Sequence, residues 1–188
     1  GDEEEAECER RYGEAAREVH RLANALLEAG LERGDRFAYL SKNATEYAFM
    51  FLAASKVGVV PVPLNYRLAP PEWQYIIDDA KARLLIARGE YVAALEPVRA
   101  QLATVERCIA MAAPDAPSGW QSYEAFVGNA PAAPPDVHVK PDDDLYQMYT
   151  SGTTGRPKGA VLSQGAVMAQ LTQASFVLGS APGERALI

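Results

Sequence analysis

From Tyr12 to Ala110 the chain alternates between stretches of helical period and short apolar runs, and few folds accommodate that order. Tyr12, Ala16, Val19, Leu22, Ala23, Leu26 and Leu27 recur at spacings of three and four, which predicts an amphipathic helix, with Gly30 placed as its C-terminal cap. Gly34-Asp35 reads as a turn and Arg36 to Leu40 as a strand. Asn43 stands as the cap of a second helix, Ala44 to about Val57, which ends at Gly58 and is apolar enough to be buried. Val59 to Leu64 reads as a strand. Pro70-Pro71-Glu72 then opens a helix to about Ala80, with proline in the tolerated first turn. Arg83 to Ala87 is a strand, Gly89 to Leu102 a helix weakened at Pro97, and Val105 to Ala110 a strand. This order predicts an α/β fold: a layered, largely parallel sheet with flanking helices and right-handed crossovers.

The flanks read differently. Residues 1–11 form a charge run, expected to be solvated and partly disordered. Residues 112–142 are rich in proline and read as a long surface excursion, with a helical patch from Ser122 to Val127. Gly165 to Leu178 reads as a helix with Val167, Leu171, Ala174 and Leu178 on one face. Arg185 to Ile188 looks like a new strand, and a terminal unpaired strand implies a piece of a longer protein.

Composition narrows the partners. A net charge of −7 disfavours nucleic acid and anionic membranes. The most apolar stretch, Ala48 to Leu64, is interrupted by Lys56, Pro61 and Pro63 and is too short to span a bilayer. The acidic start, Gly1 to Glu5, is the opposite of a signal peptide, so a soluble cytoplasmic protein is expected. Cys8 and Cys108 form no metal-binding pattern and read as free thiols, with no metal site expected. His20 and His138 read as boundary and loop residues, Trp73 and Trp120 as packing residues, and Asp78-Asp79 as a solvated helix end.

The segment with chemical content is Tyr149-Thr150-Ser151-Gly152-Thr153-Thr154-Gly155-Arg156-Pro157-Lys158-Gly159. Apolar runs on both sides, Leu145 to Tyr149 and Ala160 to Leu162, make it a strand, a tight polar loop and a strand. Glycines let backbone N–H groups approach an anion, hydroxyls add rotatable donors, and lysine adds a mobile charge. Such a loop suits phosphate oxygens, although a ligand-free hairpin turn is the simpler reading of a Gly-rich loop taken alone. It is not the common P-loop, because Pro157 precedes Lys158 and Gly159 follows it.

The whole string resembles the phosphate-binding signature of the acyl-adenylate-forming (AMP-binding) enzymes: acyl-CoA ligases, luciferases and the adenylation domains of peptide synthetases. The order of other segments is similar to acyl-CoA ligases: Leu31 to Ala38 with its Gly-Asp turn, Asn43 to Leu52, Gly58 to Leu68, and the acidic Asp142 to Leu145. The resemblance implies that residues 1–188 are the N-terminal part of an acyl-CoA-ligase-like large domain, truncated, with its phosphate loop at 149–159. It implies ATP, Mg²⁺ and coenzyme A as cofactors and a small carboxylic acid, fatty in type, as substrate, and leaves a homodimer open. The acid would attack the α-phosphate of ATP to give acyl-AMP and pyrophosphate, and a thiol would then displace AMP. Thr150, Ser151, Thr153 and Thr154 would supply hydroxyl donors, Gly152 and Gly155 backbone freedom, and Lys158 charge toward the ATP phosphates. The family's later adenine, ribose and distal-lysine segments do not occur in the chain, so no catalytic residue is assigned and these residues alone are expected to be inactive. Gln164 stands where many fatty-acyl members carry histidine. Two alternatives stay open: an adenylation domain of a peptide or polyketide synthetase, and a stand-alone remnant that binds phosphate or a partner.

Overall fold

The computed structural model describes residues 2–113, 115–150 and 155–179. Helix α1 (Asp2–Glu28) leads to β1 (Arg36–Leu40), α2 (Thr45–Val57), β2 (Val60–Leu64), α3 (Pro70–Asp79), β3 (Ala82–Arg88), α4 (Gly89–Arg99) and β4 (Arg107–Met111). A two-residue strand β5 (Gln121–Ser122) and a short helix α5 (Tyr123–Val127) follow. The hairpin strands β6 (Asp144–Thr150) and β7 (Lys158–Ser163) and helix α6 (Gln164–Leu178) complete the described chain.

Five strands form one parallel sheet in the order β2-β1-β3-β4-β5. The order reverses direction at β1, because the chain moves outward to β2 and then crosses back over β1 to β3. Period-two alternation sorts the side chains onto two faces. Phe37, Tyr39, Leu84, Ile86 and Ile109 pack with α1, α2 and α5 on one face. Ala38, Leu40, Leu85, Ala87 and Ala110 pack with α3 and α4 on the other. Burying a side chain such as Leu85 or Ile86 completely contributes about 1.5–3 kcal/mol, so these two layers carry the fold.

Several expectations are corrected. The charge run does not precede the first helix but continues it, since α1 begins at Asp2; Glu and Ala are good helix formers, and acidic groups suit a helix N-terminus. Asn43 is not the cap of α2. Ala44 holds that position in extended geometry without a side-chain cap bond, and Tyr47 N–H donates to its carbonyl at 3.1 Å. Helix α4 stops at Arg99, two residues after Pro97, and β5 has too few residues to show a periodicity. Asp78 and Asp79 are not merely solvated: Asp78 Oδ1 accepts from Ala103 N–H at 2.9 Å, and Asp79 Oδ2 accepts from the Tyr149 hydroxyl at 2.6 Å.

The proline-rich excursion does run over the surface. It is tied to α1, where Asn24 Nδ2 donates to the carbonyls of Pro131 (2.7 Å) and Ala133 (3.0 Å). His20 Nδ1 meets the Ala132 carbonyl at 3.1 Å in the same seam. Trp73 and Trp120 are buried, as packing residues should be. The expected strand at Arg185–Ile188 lies outside the described residues.

Candidate functional site

Open α/β sheets bind ligands beyond the carboxyl ends of their strands, near the point where strand order reverses. A cleft of about 580 Å³ lies there. Ser41 and Asn43 follow β1, while Leu64 ends β2 and Asn65, Tyr66 and Leu68 follow it. Glu72 and Ile76 come from α3, and Met148, Tyr149, Thr150, Gly155 and Pro157 come from the hairpin and its loop. The one-residue shift of the α2 cap leaves Asn43 free to face this cleft.

Strands β6 and β7 pair antiparallel, with Tyr149 opposite Gly159 and Thr150 opposite Lys158. The hairpin is separate from the parallel sheet and packs against β2 and α2. Arg33 in the turn before β1 and Arg36 at its start hold the hairpin's base: Arg33 Nε lies 3.5 Å from Asp143 Oδ2, and Arg36 Nη2 lies 3.0 Å from Asp144 Oδ2. The acidic entry to β6 is therefore a docking point. Tyr146 adds an edge-on ring contact to Phe51 of α2 at 5.7 Å, and Phe51 in turn stacks edge-on against Tyr39 of β1 at 6.0 Å.

A polar chain runs along the hairpin toward its loop. Arg36 Nε donates to Gln147 Oε1 (3.2 Å), Gln147 Nε2 donates to the Tyr149 hydroxyl (3.0 Å), and that hydroxyl donates to Asp79. Gln147 is buried, and both its amide oxygen and its amide nitrogen have a partner. Burial, and then the hydrogen bond to Asp79, push the Tyr149 phenol well above its ordinary range, so it stays a donor.

Of the residues expected at the phosphate site, Thr150 ends β6 and lines the cleft, and Lys158 begins β7 opposite it, exposed. Gly155 lines the cleft with φ at 91°, a backbone conformation that favours glycine. Ser151, Gly152, Thr153 and Thr154 lie outside the described residues. Sequence reasoning missed Tyr149, Asp79, Tyr75, Asn43 and Tyr66 as site residues. Tyr75 and Asp79 share a helix face by their i, i+4 spacing, which was legible; their partners 70 to 82 residues away were not.

Glu72 is the charged residue that lines the cleft, and cations stand near two tyrosines of this region, Tyr66 in the lining and Tyr75 on α3. Lys42 and Arg67 stand 6.0 and 5.5 Å from the ring centre of Tyr66, and Arg156 stands 5.5 Å from that of Tyr75. Glu90 lies 3.1 Å from Lys42, and their hydrogen bond raises the lysine and lowers the carboxylate from their ordinary values. Proteins commonly hold polyphosphates with backbone donors, hydroxyls and cations. Among the described residues no group of three or more His, Cys, Asp or Glu converges as a metal cage. Mg²⁺ commonly reaches such sites on the phosphates of a nucleotide, with few protein ligands. No described helix is long and apolar enough to cross a membrane.

The chain is 41% identical over 157 residues to an indoleacetate–CoA ligase of Aromatoleum aromaticum, covering 83% of this chain and 30% of the relative. It is 37% identical over 146 residues to the long-chain-fatty-acid–CoA ligase FadD13 of Mycobacterium tuberculosis, covering 76% and 27%. The crystal structure of the anthranilate CoA ligase AuaEII in complex with anthranoyl-AMP superposes with a TM-score of 0.77 at 28% identity, over 84% of this chain and 30% of that one. The chain thus spans about a third of the length of the relatives it matches. The profile of the AMP-binding enzymes matches residues 6–187, nearly the whole chain, and the chain belongs to the AMP-binding enzyme family.

Proposed function

We propose that this chain supplies the polyphosphate-binding part of an ATP-dependent acid–thiol ligase, which activates a carboxylic acid as acyl-AMP before forming the coenzyme A thioester. The observation that carries the reading is that Thr150, Gly155 and Pro157, which flank the glycine- and threonine-rich string, line a cleft at the carboxyl ends of β1 and β2. Membership of the AMP-binding enzymes supports the same chemistry. In this reading Thr150, Ser151, Thr153 and Thr154 donate to the β- and γ-phosphates, Gly152 and Gly155 allow the backbone to turn its N–H groups inward, and Lys158 offsets charge on departing pyrophosphate. Holding the polyphosphate also keeps the α-phosphorus in line with the attacking carboxylate oxygen. Mg²⁺, carried on the phosphates, would neutralise the same charge.

The acid is assigned as fatty from the resemblance. The relatives named above act on indoleacetate and on long-chain fatty acids, so both classes belong in the first substrate screen. The site of action is assigned to the cytoplasm. These 188 residues, about a third of a ligase's length, are proposed to lack turnover on their own. Acid-dependent ATP–pyrophosphate exchange by the purified chain would overturn that point.

The test of the loop is direct binding. Magnesium tripolyphosphate titrated into the chain should bind, and Lys158→Ala should weaken binding several-fold. Equal affinity for wild type and Lys158→Ala, or no binding by wild type, would overturn the reading.

A further inference from the structure

Helix α3 touches both stems of the loop, and it does so through residues one helical turn apart. Asp79 Oδ2 accepts from the Tyr149 hydroxyl at 2.6 Å, two residues before Ser151. The Tyr75 hydroxyl donates to the Pro157 carbonyl at 3.4 Å, and its ring lies under the Arg156 guanidinium at 5.5 Å, on the descending stem. Residues at i and i+4 share a helix face, so one face of α3 spans the mouth of the hairpin. The Tyr149 ring also packs into the layer beneath α3 and α4.

The hairpin is shaped to let this happen. Tyr149 lies opposite Gly159 in the ladder, and its side chain crosses over that glycine. A Cβ on Gly159 would run into Gln147 Nε2 and sit 3.0 Å from Tyr149 Cζ and 3.2 Å from its hydroxyl oxygen. Gly159 has no positive φ that would demand glycine. Its missing side chain instead makes the space through which Gln147 and Tyr149 reach Asp79.

We propose that Tyr149 and Asp79 are positioning residues of the phosphate loop: α3, through them and through Tyr75, sets the separation and register of the two stems so that the loop's donors converge on one polyphosphate. The proposal rests on the loop reading above. It gives Asp79, a carboxylate outside the cleft lining, a defined part in binding through the phenol of Tyr149. Losing either partner frees the ascending stem to sample other geometries, and binding must then restore the competent one.

Charge makes the test discriminating. Asp79 is an anion near a proposed anion site, so simple electrostatics says that removing it tightens polyphosphate binding. Positioning says the opposite. Magnesium tripolyphosphate would be titrated by calorimetry into the wild-type chain and into Tyr149→Phe, Asp79→Leu, Asp79→Asn and the Tyr149→Phe/Asp79→Leu double variant. Tyr149→Phe and Asp79→Leu should each raise Kd about tenfold, about 1.4 kcal/mol, and the double variant should be no weaker than Tyr149→Phe, because that variant already removes the Tyr149–Asp79 bond together with the one from Gln147. Asp79→Asn keeps an acceptor oxygen and loses the charge, so it should bind as well as wild type or better. Kd within twofold for both single variants, tighter binding by Asp79→Leu, or additive losses in the double variant would each overturn the proposal. A wild-type chain that binds nothing, or that binds equally after Lys158→Ala, would instead overturn the loop reading and this inference with it.

Discussion

Gly155→Ala isolates backbone conformation from every other influence on the loop. Gly155 sits at φ 91°, and among the described residues a Cβ built there meets nothing within 4 Å. The substitution therefore adds no clash with them and removes no side-chain contact. Its whole effect is the left-handed penalty, about 1–2 kcal/mol for an L side chain. Where that energy appears depends on whether the loop is free to relax. Gly155 is exposed at the hairpin tip, so without ligand the chain relieves the strain locally at little expense to the sheet. Binding must then restore the strained geometry, and the penalty appears in affinity. Magnesium tripolyphosphate should bind about 5- to 30-fold more weakly, the ratio that 1–2 kcal/mol represents. The thermal midpoint should stay within about 2 °C of wild type, whereas the same energy lost from the global fold would lower it by about 2–8 °C. Gly155→Asn should fall between, because asparagine tolerates positive φ better than alanine. Unchanged affinity with a midpoint several degrees lower would refute the reasoning, since it would mean that the tip is rigid and the strained geometry is irrelevant to the ligand.

Three further outcomes are expected. Gly159→Ala should destabilise by about 1–3 kcal/mol through overpacking against Gln147 and Tyr149 and should weaken tripolyphosphate binding as the Tyr149–Asp79 bond is displaced; urea unfolding and calorimetry read the two effects separately. Leu85→Ala, at a fully buried position between α3 and α4, should lower the unfolding free energy by about 3–5 kcal/mol, and a loss under about 1 kcal/mol in urea would mean that this layer is not a packed core. Burial pushes the Cys108 thiol up to about 11. The thiolate is the reactive form, so in a Cys8→Ser background Cys108 should alkylate slowly at pH 8 and about tenfold faster for each pH unit up to about 10; a plateau near pH 9 would place the thiol in an ordinary environment.

Much of the fold was legible because its signals are local. The three-and-four spacing from Tyr12 to Leu27, the proline opening of α3 and the short apolar runs depend on neighbours in sequence, and each lies where it was expected. The errors fall where tertiary contact overrides local signal. Asn43 has the right side chain for a cap, but the chain enters α2 one residue later and the amide faces the cleft. Strand β5 exists only because Gln121 and Ser122 find Ile109 and Ala110, and two residues carry no period. Asp79 carries no sign in sequence that a tyrosine 70 residues later will claim it.

The candidate site shows the same division at closer range. The loop string suggests its proposed chemistry through composition, because glycines, hydroxyls and a lysine together suit phosphate oxygens. Composition does not declare geometry. A hairpin tip of this kind would sample many shapes, and affinity for one anion requires that most be removed. In the proposed reading the removal comes from outside the string, where Arg33 and Arg36 hold the hairpin's base, Phe51 packs against Tyr146, and α3 meets both stems. One residue inside the string belongs to both accounts. Gly159 reads in sequence as one more flexible position, yet its backbone is ordinary and its contribution is empty space for the Gln147–Tyr149–Asp79 chain. A loop of this kind moved to another scaffold without α3 should therefore keep its charge and lose most of its affinity, and only the tertiary contacts distinguish the two cases.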